Sequence, residues 1–425
     1  MAWLAVAIHV SCAAAAGAFI LARRRRRLGT RWTAAETVLA VVYAASMLAL
    51  TSGPVLIDFT KAYHYAGRAI ISDPATLYDC TRAQCYVNLP AIALLFVPFG
   101  LMEPYTAGVV FSLIGLAALA VAVRHLTRDA HADLVLWLIV LSGPLYYSIR
   151  IGNTTHFLLI ALIVAFDRLA IGRERLAGGL LAAAALIKPP LALFLPYLLL
   201  RRRYGAALTM TAVAAAVAAL SIALYGIDLH LFWLREFVIG HGGSPVGAYN
   251  VQSVNGFLAH LATRGHLRDW YPIPMGAGFR AASLVLAAAI VLGVALVCWR
   301  AGRPRSARAW YAELSLVLTL AVVVAPISWS HYYLLLLLPM AAVIGGLRLP
   351  SPRPATAVAI AAAALLISLP VVILPIPGRI PAALYDRVFV SHYFYGGLVL
   401  LAALGVVRAR VDDETGRAPR SVGAG

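Results

Sequence analysis

The sequence predicts an all-α polytopic integral membrane protein. Of its 425 residues, 62% are hydrophobic and only 12% are charged. Several apolar runs reach or approach the ~20 residues that a helix needs to cross the hydrocarbon core of a bilayer. The arginines collect in short segments between these runs, as is typical of cytoplasmic loops. The formal net charge of +18 therefore indicates orientation in a membrane and does not point to a nucleic-acid partner.

The apolar runs define the predicted membrane-spanning helices. In chain order they are 2–21, 34–53, 105–124, 132–149, 155–171, 205–226, 279–299, 311–327, 331–347, 355–375 and 392–408, with a further pair at 176–200. This pattern predicts about 12–13 transmembrane helices in a single domain that covers 1–410. The polar residues 411–425 are expected to form a disordered cytoplasmic tail.

The basic segments fix one orientation for all of these helices. They are 22–31, 124–131, 168–175, 201–204, 300–308, 347–353 and the residues that follow Arg408, and all seven can face the cytoplasm at once. This assignment places the loops 54–104 and 227–278 and the junctions 150–155 and 326–331 on the outer face. We expect the two long outer loops to form the functional site.

Two apolar segments do not fit a full crossing. The run 90–100 is short and contains prolines at both ends, which favours a surface helix in the outer half of the bilayer. The run 176–200 has basic residues at both ends but is too short for two spans. We therefore predict a broken helix pair that turns at Lys188-Pro189-Pro190, where protein or a wet cavity must surround the irregular backbone.

The first outer loop contains two cysteines, Cys80 and Cys85. Such a pair can form a disulfide in an oxidising compartment, and two free thiols are the alternative.

The first outer loop also begins with the most concentrated charge of the chain, at 57–68. In a helix, one face carries Asp58, Lys61, Tyr65 and Arg68. The opposite face is then apolar and expected in the membrane surface, and it consists of Phe59, Ala62, Ala66 and Ile70. An acid beside two cations at the end of a span predicts an active site. The alternative is that Asp58 caps the helix and the cations contact lipid headgroups.

Three further cationic or titratable residues lie at outer junctions. Lys188 and Lys61 are the two lysines of the chain, and an ammonium group suits a phosphate oxygen. The alternative for Lys188 is snorkelling beside the proline turn. Arg150 is an isolated outer arginine, which favours an anion-binding role over an interfacial anchor. His331 can donate to a phosphate or to a sugar hydroxyl, or it can be a satisfied interface residue.

The loop 227–278 combines amides with aromatic rings. Asn250, Gln252 and Asn255 are candidates for hydrogen bonds to a sugar, and Trp329 in the next outer junction is a candidate for stacking. The alternative is that the rings form an interfacial belt and the amides stabilise turns.

Several motifs are absent from the sequence. It has no Asp-x-Asp for a metal-bound nucleotide sugar, no phosphate-binding glycine loop, no His-Glu-x-x-His and no Gly-x-Ser-x-Gly. We predict no metal and no cofactor. An internal repeat, which would favour a transporter or lipid flippase, is not found either, and that class remains an alternative.

The outer motifs resemble glycosyltransferase family 87 of the GT-C superfamily. The resemblance runs in order over 54–333 and rests on Ile57-Asp58-Phe59, Leu77-Tyr78-Asp79, Asn88-Leu89-Pro90, Phe96-Val97-Pro98-Phe99, Gly152-Asn153, Ile187-Lys188-Pro189, Ser253-Val254-Asn255-Gly256 and Pro326-Ile327-Ser328-Trp329-Ser330-His331. One departure is Gly152-Asn153-Thr154-Thr155 where the family usually has Gly-Gln-x-Asn, which puts a role for an amide there in doubt.

The resemblance implies a GT-C fold with surface helices in a long first outer loop. It also implies transfer of mannose, with inversion, from polyprenol-phosphate-mannose to a lipid-linked glycan of the phosphatidylinositol mannoside or lipomannan type. The reaction would occur at the outer face of a bacterial cytoplasmic membrane. A related arabinofuranosyltransferase that uses polyprenol-phosphate-arabinose is the alternative.

The resemblance also assigns roles to the candidate residues. Asp58 would be the general base. The donor phosphate would contact Lys61, Arg68, Arg150, Lys188 and His331. The sugar or the acceptor would contact Tyr65, Asn250, Gln252, Asn255 and Trp329. The expected partners are the donor, the acceptor and membrane lipids, and the sequence does not predict the oligomeric state.

Overall fold

The computed structural model describes residues 1–25, 31–51, 54–82, 85–128, 131–241, 244–263, 267–346 and 348–416. Throughout these residues the chain is helical, and β structure is limited to two isolated bridges, Val246 with Pro272 and Val251 with Trp329. The predicted all-α class is confirmed.

The α-helices follow one another with short connections. They are α1 (Ala2–Arg25), α2 (Ala34–Leu50), α3 (His64–Ser72), α4 (Val97–Gly100), α5 (Pro104–Leu126), α6 (Ala132–Val140), α7 (Gly143–Ile151), α8 (Thr155–Ala170), α9 (Glu174–Ile187), α10 (Phe194–Leu200), α11 (Tyr204–Trp233), α12 (Val254–Ala262), α13 (Ala277–Arg300), α14 (Ala307–Val324), α15 (Leu337–Gly345), α16 (Pro354–Ser368), α17 (Arg379–Arg387) and α18 (His392–Gly416). Short 3₁₀ helices occupy Pro74–Thr76, Cys80–Arg82, Pro90–Phe96, Pro189–Leu193, Ser330–Leu336 and Phe389–Ser391, and π turns occupy Phe59–Tyr63 and Leu234–His241.

Fewer helices reach the length of a full crossing than the sequence predicts. Among the described residues, six helices are long and apolar enough to span a bilayer, and α6 with α7, bent by 51°, makes a seventh if the pair counts as one span. Other apolar helices, such as α2 and α16, have only 10–17 residues. The prediction of 12–13 spans counted these short apolar segments as full crossings, because hydropathy does not show where a helix ends.

The segment 174–200 is a broken helix pair, as predicted. Helix α9 ends at Ile187, and Lys188 has a non-helical backbone with φ −129° and ψ 89°. The cause is local, since a proline disfavours helical geometry in the residue before it, and Pro189 follows directly. Lys188 is thereby held at the turn between two helices.

The segment 54–104, the predicted first outer loop, folds as a layer of short helices on α5. Pro90–Phe96 and α4 form the short helix expected at 90–100, and they pack against α3. Gly67 allows this contact, because a Cβ there would collide with the Phe96 carbonyl. Cys80 and Cys85 form a disulfide in the same loop.

One expectation for this loop is wrong. Its apolar face does not lie in the membrane surface. Phe59, Ala62, Ala66 and Ile70 are all buried, and Phe59 stacks on Phe111 of α5 with ring centroids 4.6 Å apart. The helix that follows Asp58 is therefore covered by protein on its apolar side, which fixes the position of Asp58.

The main core surrounds α14, which packs against α8 and α18. A buried carboxylate, Glu313 of α14, accepts hydrogen bonds from Arg201 at 2.7 Å and from Arg408 at 2.8 Å. Such a buried charge is tolerated only when it is paired and hydrogen-bonded. By contrast, α13 exposes large apolar side chains, including Leu284 and Trp299, as a lipid-facing helix does.

The C-terminal helix is longer than expected. Helix α18 continues to Gly416, so residues 411–416 belong to this helix and not to a disordered tail. The remainder of the predicted tail, 417–425, lies outside the described residues.

Candidate active site

Asp58 lies at the start of an unusual helical turn. Leu56 has a left-handed backbone with φ 56°, and a π turn follows at Phe59–Tyr63. Both features are rare and occur often at functional sites. The Asp58 side chain makes no capping hydrogen bond to the backbone. The structure therefore gives no support to the alternative in which Asp58 only caps this helix.

The Asp58 carboxylate is joined to Asn153. The Asn153 amide donates from Nδ2 to Asp58 Oδ2 at 2.7 Å and, more weakly, to the Tyr63 hydroxyl at 3.4 Å. Asn153 is 3% exposed. It follows Gly152, the residue at which α7 ends, and Gly152 has a left-handed backbone with φ 71°. A glycine adopts this left-handed geometry without a steric penalty, so the chain can turn and direct Asn153 towards Asp58.

The other end of the same amide is joined to Lys188. Lys188 Nζ donates to Asn153 Oδ1 at 3.1 Å, and Thr155 donates to the same oxygen from its hydroxyl at 2.8 Å. The ammonium also lies 4.3 Å from the centroid of the Tyr332 ring, a favourable cation–π position. One asparagine thus links the candidate base to a buried cation.

Lys188 is 5% exposed and lies outside the membrane-spanning helices, at the turn between α9 and Pro189–Leu193. Burial lowers the pKa of Lys188 to about 7, and the nearby Asp58 carboxylate opposes this shift. A bound anion would favour the charged form further.

His331 completes the cluster. Its Nε2 lies 3.4 Å from Lys188 Nζ, and its ring stacks on Tyr147 with centroids 6.2 Å apart. Because an ammonium donates, Nε2 must accept, which leaves the proton on Nδ1. Within the part of the chain that the structure describes, this buried Nδ1 has no hydrogen-bond partner.

The loop 227–278 closes over this cluster through Asn250. Asn250 Nδ2 donates to the Tyr147 hydroxyl at 2.8 Å, and Trp270 Nε1 donates to Asn250 Oδ1 at 3.1 Å. That the loops 54–104 and 227–278 form one site together stays a prediction. Trp329, in contrast, packs with the small apolar group of Val246 and Val251.

Two predicted sugar-binding amides already form hydrogen bonds within the protein. Gln252 is fully buried, donates to the carbonyls of Tyr249 and Val390 at 2.8 Å each, and accepts from the Phe394 amide. Asn255 accepts from the Ser283 hydroxyl and so joins α12 to α13. A sequence shows the residue type of an amide but not whether the protein already uses its polar atoms.

The remaining candidates contact other segments or are exposed. The Tyr65 hydroxyl donates to the Thr76 carbonyl at 3.0 Å. Arg150 donates to the Leu48 carbonyl at the end of α2. Lys61 and Arg68 are exposed, so the structure does not bring them into the buried cluster, and their contact with a donor phosphate stays a prediction.

Asn153 is the residue that the sequence interpretation undervalued. Its motif was recognised, but its departure from the usual Gly-Gln-x-Asn pattern put a role for an amide in doubt. The signal that pointed to it was the glycine before it, which predicts a sharp turn at an outer junction.

The chain is similar in sequence to two mycobacterial mannosyltransferases. The polyprenol-phosphate-mannose-dependent α-(1→2)-phosphatidylinositol pentamannoside mannosyltransferase of Mycobacterium tuberculosis (strain CDC 1551 / Oshkosh) is 27% identical over 345 residues, which are 76% of this chain and 75% of that protein. The polyprenol-phosphate-mannose-dependent α-(1→2)-phosphatidylinositol mannoside mannosyltransferase of M. tuberculosis (strain ATCC 25618 / H37Rv) is 30% identical over 280 residues, 60% of this chain and 61% of that protein.

A solved structure and a family also match. The crystal structure of ArnT from Cupriavidus metallidurans bound to undecaprenyl phosphate aligns with 91% of this chain and 79% of its own, at 17% identity and a TM-score of 0.37. The sequence model of glycosyltransferase family 87 matches residues 86–326, more than half of the chain. The protein with the hydrogen-bonded Asp58–Asn153–Lys188 cluster is therefore a membrane glycosyltransferase that belongs to glycosyltransferase family 87.

Proposed function

We propose that this protein transfers mannose from polyprenol-phosphate-mannose to a lipid-linked glycan, with inversion at the anomeric carbon and with Asp58 as the general base. The observation that carries the proposal is the hydrogen-bonded chain from the Asp58 carboxylate through Asn153 to the Lys188 ammonium. A proton acceptor and a buried cation are the two groups that this reaction requires.

The chemistry follows from these two groups. Asp58 accepts the proton of the acceptor hydroxyl as its oxygen attacks the anomeric carbon. The bond between that carbon and the phosphate oxygen breaks, and the electron pair leaves with the phosphate. Because a phosphate leaves as a stable anion, no general acid is needed, and Lys188 stabilises the negative charge that develops. Asn153 holds the carboxylate and the ammonium in a fixed relative position.

The aromatic groups suit the substrate. Tyr63, Tyr147 and Tyr332 surround the carboxylate closely enough to interact with its charge. Aromatic walls exclude water, which strengthens the electrostatic interactions inside the site. The polyprenol chain of the donor would lie among apolar helices, which explains why the site lies at the ends of membrane helices.

The choice of mannose is supported by the names of the two mycobacterial relatives, both of which are polyprenol-phosphate-mannose-dependent α-(1→2)-mannosyltransferases. A direct test is to incubate the purified full-length protein with a phosphatidylinositol mannoside acceptor and either polyprenol-phosphate-mannose or polyprenol-phosphate-arabinose. We expect a mannosylated product that mass spectrometry detects only with the first donor. Product only with the second donor would replace mannose by arabinose, and a folded protein inactive with both would contradict the proposal.

We further propose that the site faces the outside of the cytoplasmic membrane. The arginine-rich segments support this orientation, and the Cys80–Cys85 disulfide supports an oxidising environment for the first loop.

Cysteine labelling in intact cells tests the orientation. The native cysteines do not interfere, because Cys12 and Cys298 are buried and the other two are paired. A membrane-impermeant maleimide should label Tyr271→Cys, at a side chain that is 74% exposed, and should not label Arg305→Cys until the cells are opened. Labelling of both positions from the same side would show that the helix orientation is wrong.

A further inference from the structure

A cavity lies at the opposite end of the helix bundle from Asp58. It has a volume of about 530 Å³, and its polar lining consists of four arginines with one aspartate, one histidine and one tyrosine: Arg128, Arg168, Arg308, Arg348, Asp167, His125 and Tyr311. Four guanidinium groups around one cavity give a strongly positive potential, because low-dielectric walls concentrate the field.

The cavity is distant from the active site but is built on the same helices. Helix α8 begins beside Asn153 and ends at this cavity, and its 16 residues span about 24 Å. Helix α14 begins at the cavity, with Arg308 in its first turn, and ends six residues before Ser330–Leu336, which carries His331. The cavity therefore lies where the chain is expected to face the cytoplasm.

Among the residues that the structure describes, the lining of this cavity carries four arginines and one aspartate. Asp167 is engaged by Arg348, whose Nε lies 3.2 Å from Oδ1 and whose Nη2 lies 3.4 Å from Oδ2. Within the described ranges, Arg128, Arg168 and Arg308 form no ion pair. Positive-inside sorting explains arginines in separate loops, but it does not require that four segments bring their arginines to one concave surface.

The wall of the cavity combines charge with apolar surface. Ala170, Ile171 and Ala307 line it beside the arginines, and Ile171 is 61% exposed. Guanidinium groups bind phosphate oxygens through paired N–H donors, and basic pockets between membrane helices on the cytoplasmic side bind lipid headgroups. We propose that this cavity binds a phosphate-bearing anion, either the headgroup of an anionic lipid or a free phosphate compound.

Binding is measured with purified full-length protein in a nonionic detergent. Fluorescent phosphatidylglycerol is the probe, fluorescent phosphatidylcholine is the neutral control, and inorganic pyrophosphate is the competitor. No sugar donor is present, so the result is independent of the proposed transferase activity. The Arg128→Gln/Arg308→Gln protein removes two exposed cavity arginines and leaves the Arg348–Asp167 pair intact. The matched control is Arg303→Gln/Arg305→Gln, which removes two exposed arginines near the cavity but outside its lining.

We expect the cavity double variant to bind phosphatidylglycerol about 30-fold more weakly, each single variant about 5-fold more weakly, and the control double variant almost normally. Added salt should weaken binding to the wild type. Competition by pyrophosphate would support a site that takes phosphate from either source, and its absence would support a lipid headgroup. Equal binding of phosphatidylcholine would overturn the proposal. An equal loss of phosphatidylglycerol binding in the cavity and control double variants would also overturn the proposal. The single variants repeat this comparison if the cavity double variant does not fold.

Discussion

Replacing Asp58 with asparagine should reduce sugar transfer by about 10²–10⁴-fold, the range that is typical of losing a general base. Asparagine keeps the shape of the side chain, but its amide cannot take a proton from an acceptor hydroxyl. The Asp58→Asn protein should fold, because the Asp58 side chain forms no helix cap and its oxygen can still accept from Asn153. Turnover with saturating donor and acceptor, compared with donor affinity, measures the effect.

Asp73 provides the matched control for this substitution. It is an exposed aspartate in the same outer loop, and its carboxylate accepts from the Ala75 amide as a cap. Asparagine caps about as well as aspartate, so Asp73→Asn should transfer sugar normally. Near-normal transfer by a well-folded Asp58→Asn protein would rule out the mechanism, and another carboxylate of the outer loops would have to be the base.

Replacing Lys188 with alanine should reduce kcat/KM for the donor by about 10²–10³-fold. This is the usual cost of removing one preorganised group that stabilises developing charge in a site that excludes water. The loss should appear with the lipid-phosphate donor and not in the KM for the acceptor, because the ammonium is assigned to the phosphate. Steady-state kinetics with each substrate varied in turn separates the two effects.

The pH dependence gives a second measure of the same role. Since burial lowers the pKa of Lys188 to about 7, the ammonium of the free protein loses its proton as the pH rises through that value. The wild-type kcat/KM for the donor should therefore fall above pH 7, and this fall should be absent from Lys188→Ala.

The exposed Lys61 is the control for Lys188. Lys61→Ala removes the same charge outside the buried cluster and should lower kcat/KM for the donor only a few-fold. An equal loss of kcat/KM in Lys61→Ala and Lys188→Ala would mean that the burial of Lys188 does not explain its effect on donor use.

The apolar runs and the distribution of arginines were enough to predict an all-helical membrane protein. The charged segment at Asp58 and the glycine–asparagine and lysine–proline motifs were enough to select segments that the structure brings together. These features act locally: a run of apolar residues needs lipid or a core, and a proline ends the helix before it. Such local effects can be predicted without knowledge of the neighbours in space.

The contacts between distant segments could not be predicted in this way. Asp58, Asn153, Lys188 and His331 come from four separate segments, and only their packing shows that one amide joins the carboxylate to the ammonium. Packing also separates Asn250, which borders the site, from Gln252, whose polar atoms are all used inside the protein.

The sequence by itself determined the helical class and the positions of helix breaks such as Lys188-Pro189, because helix breaks and membrane crossings depend on neighbouring residues. The tertiary structure alone decided which polar atoms face one another, because hydrogen bonds between residues far apart in the chain depend on how the helices pack.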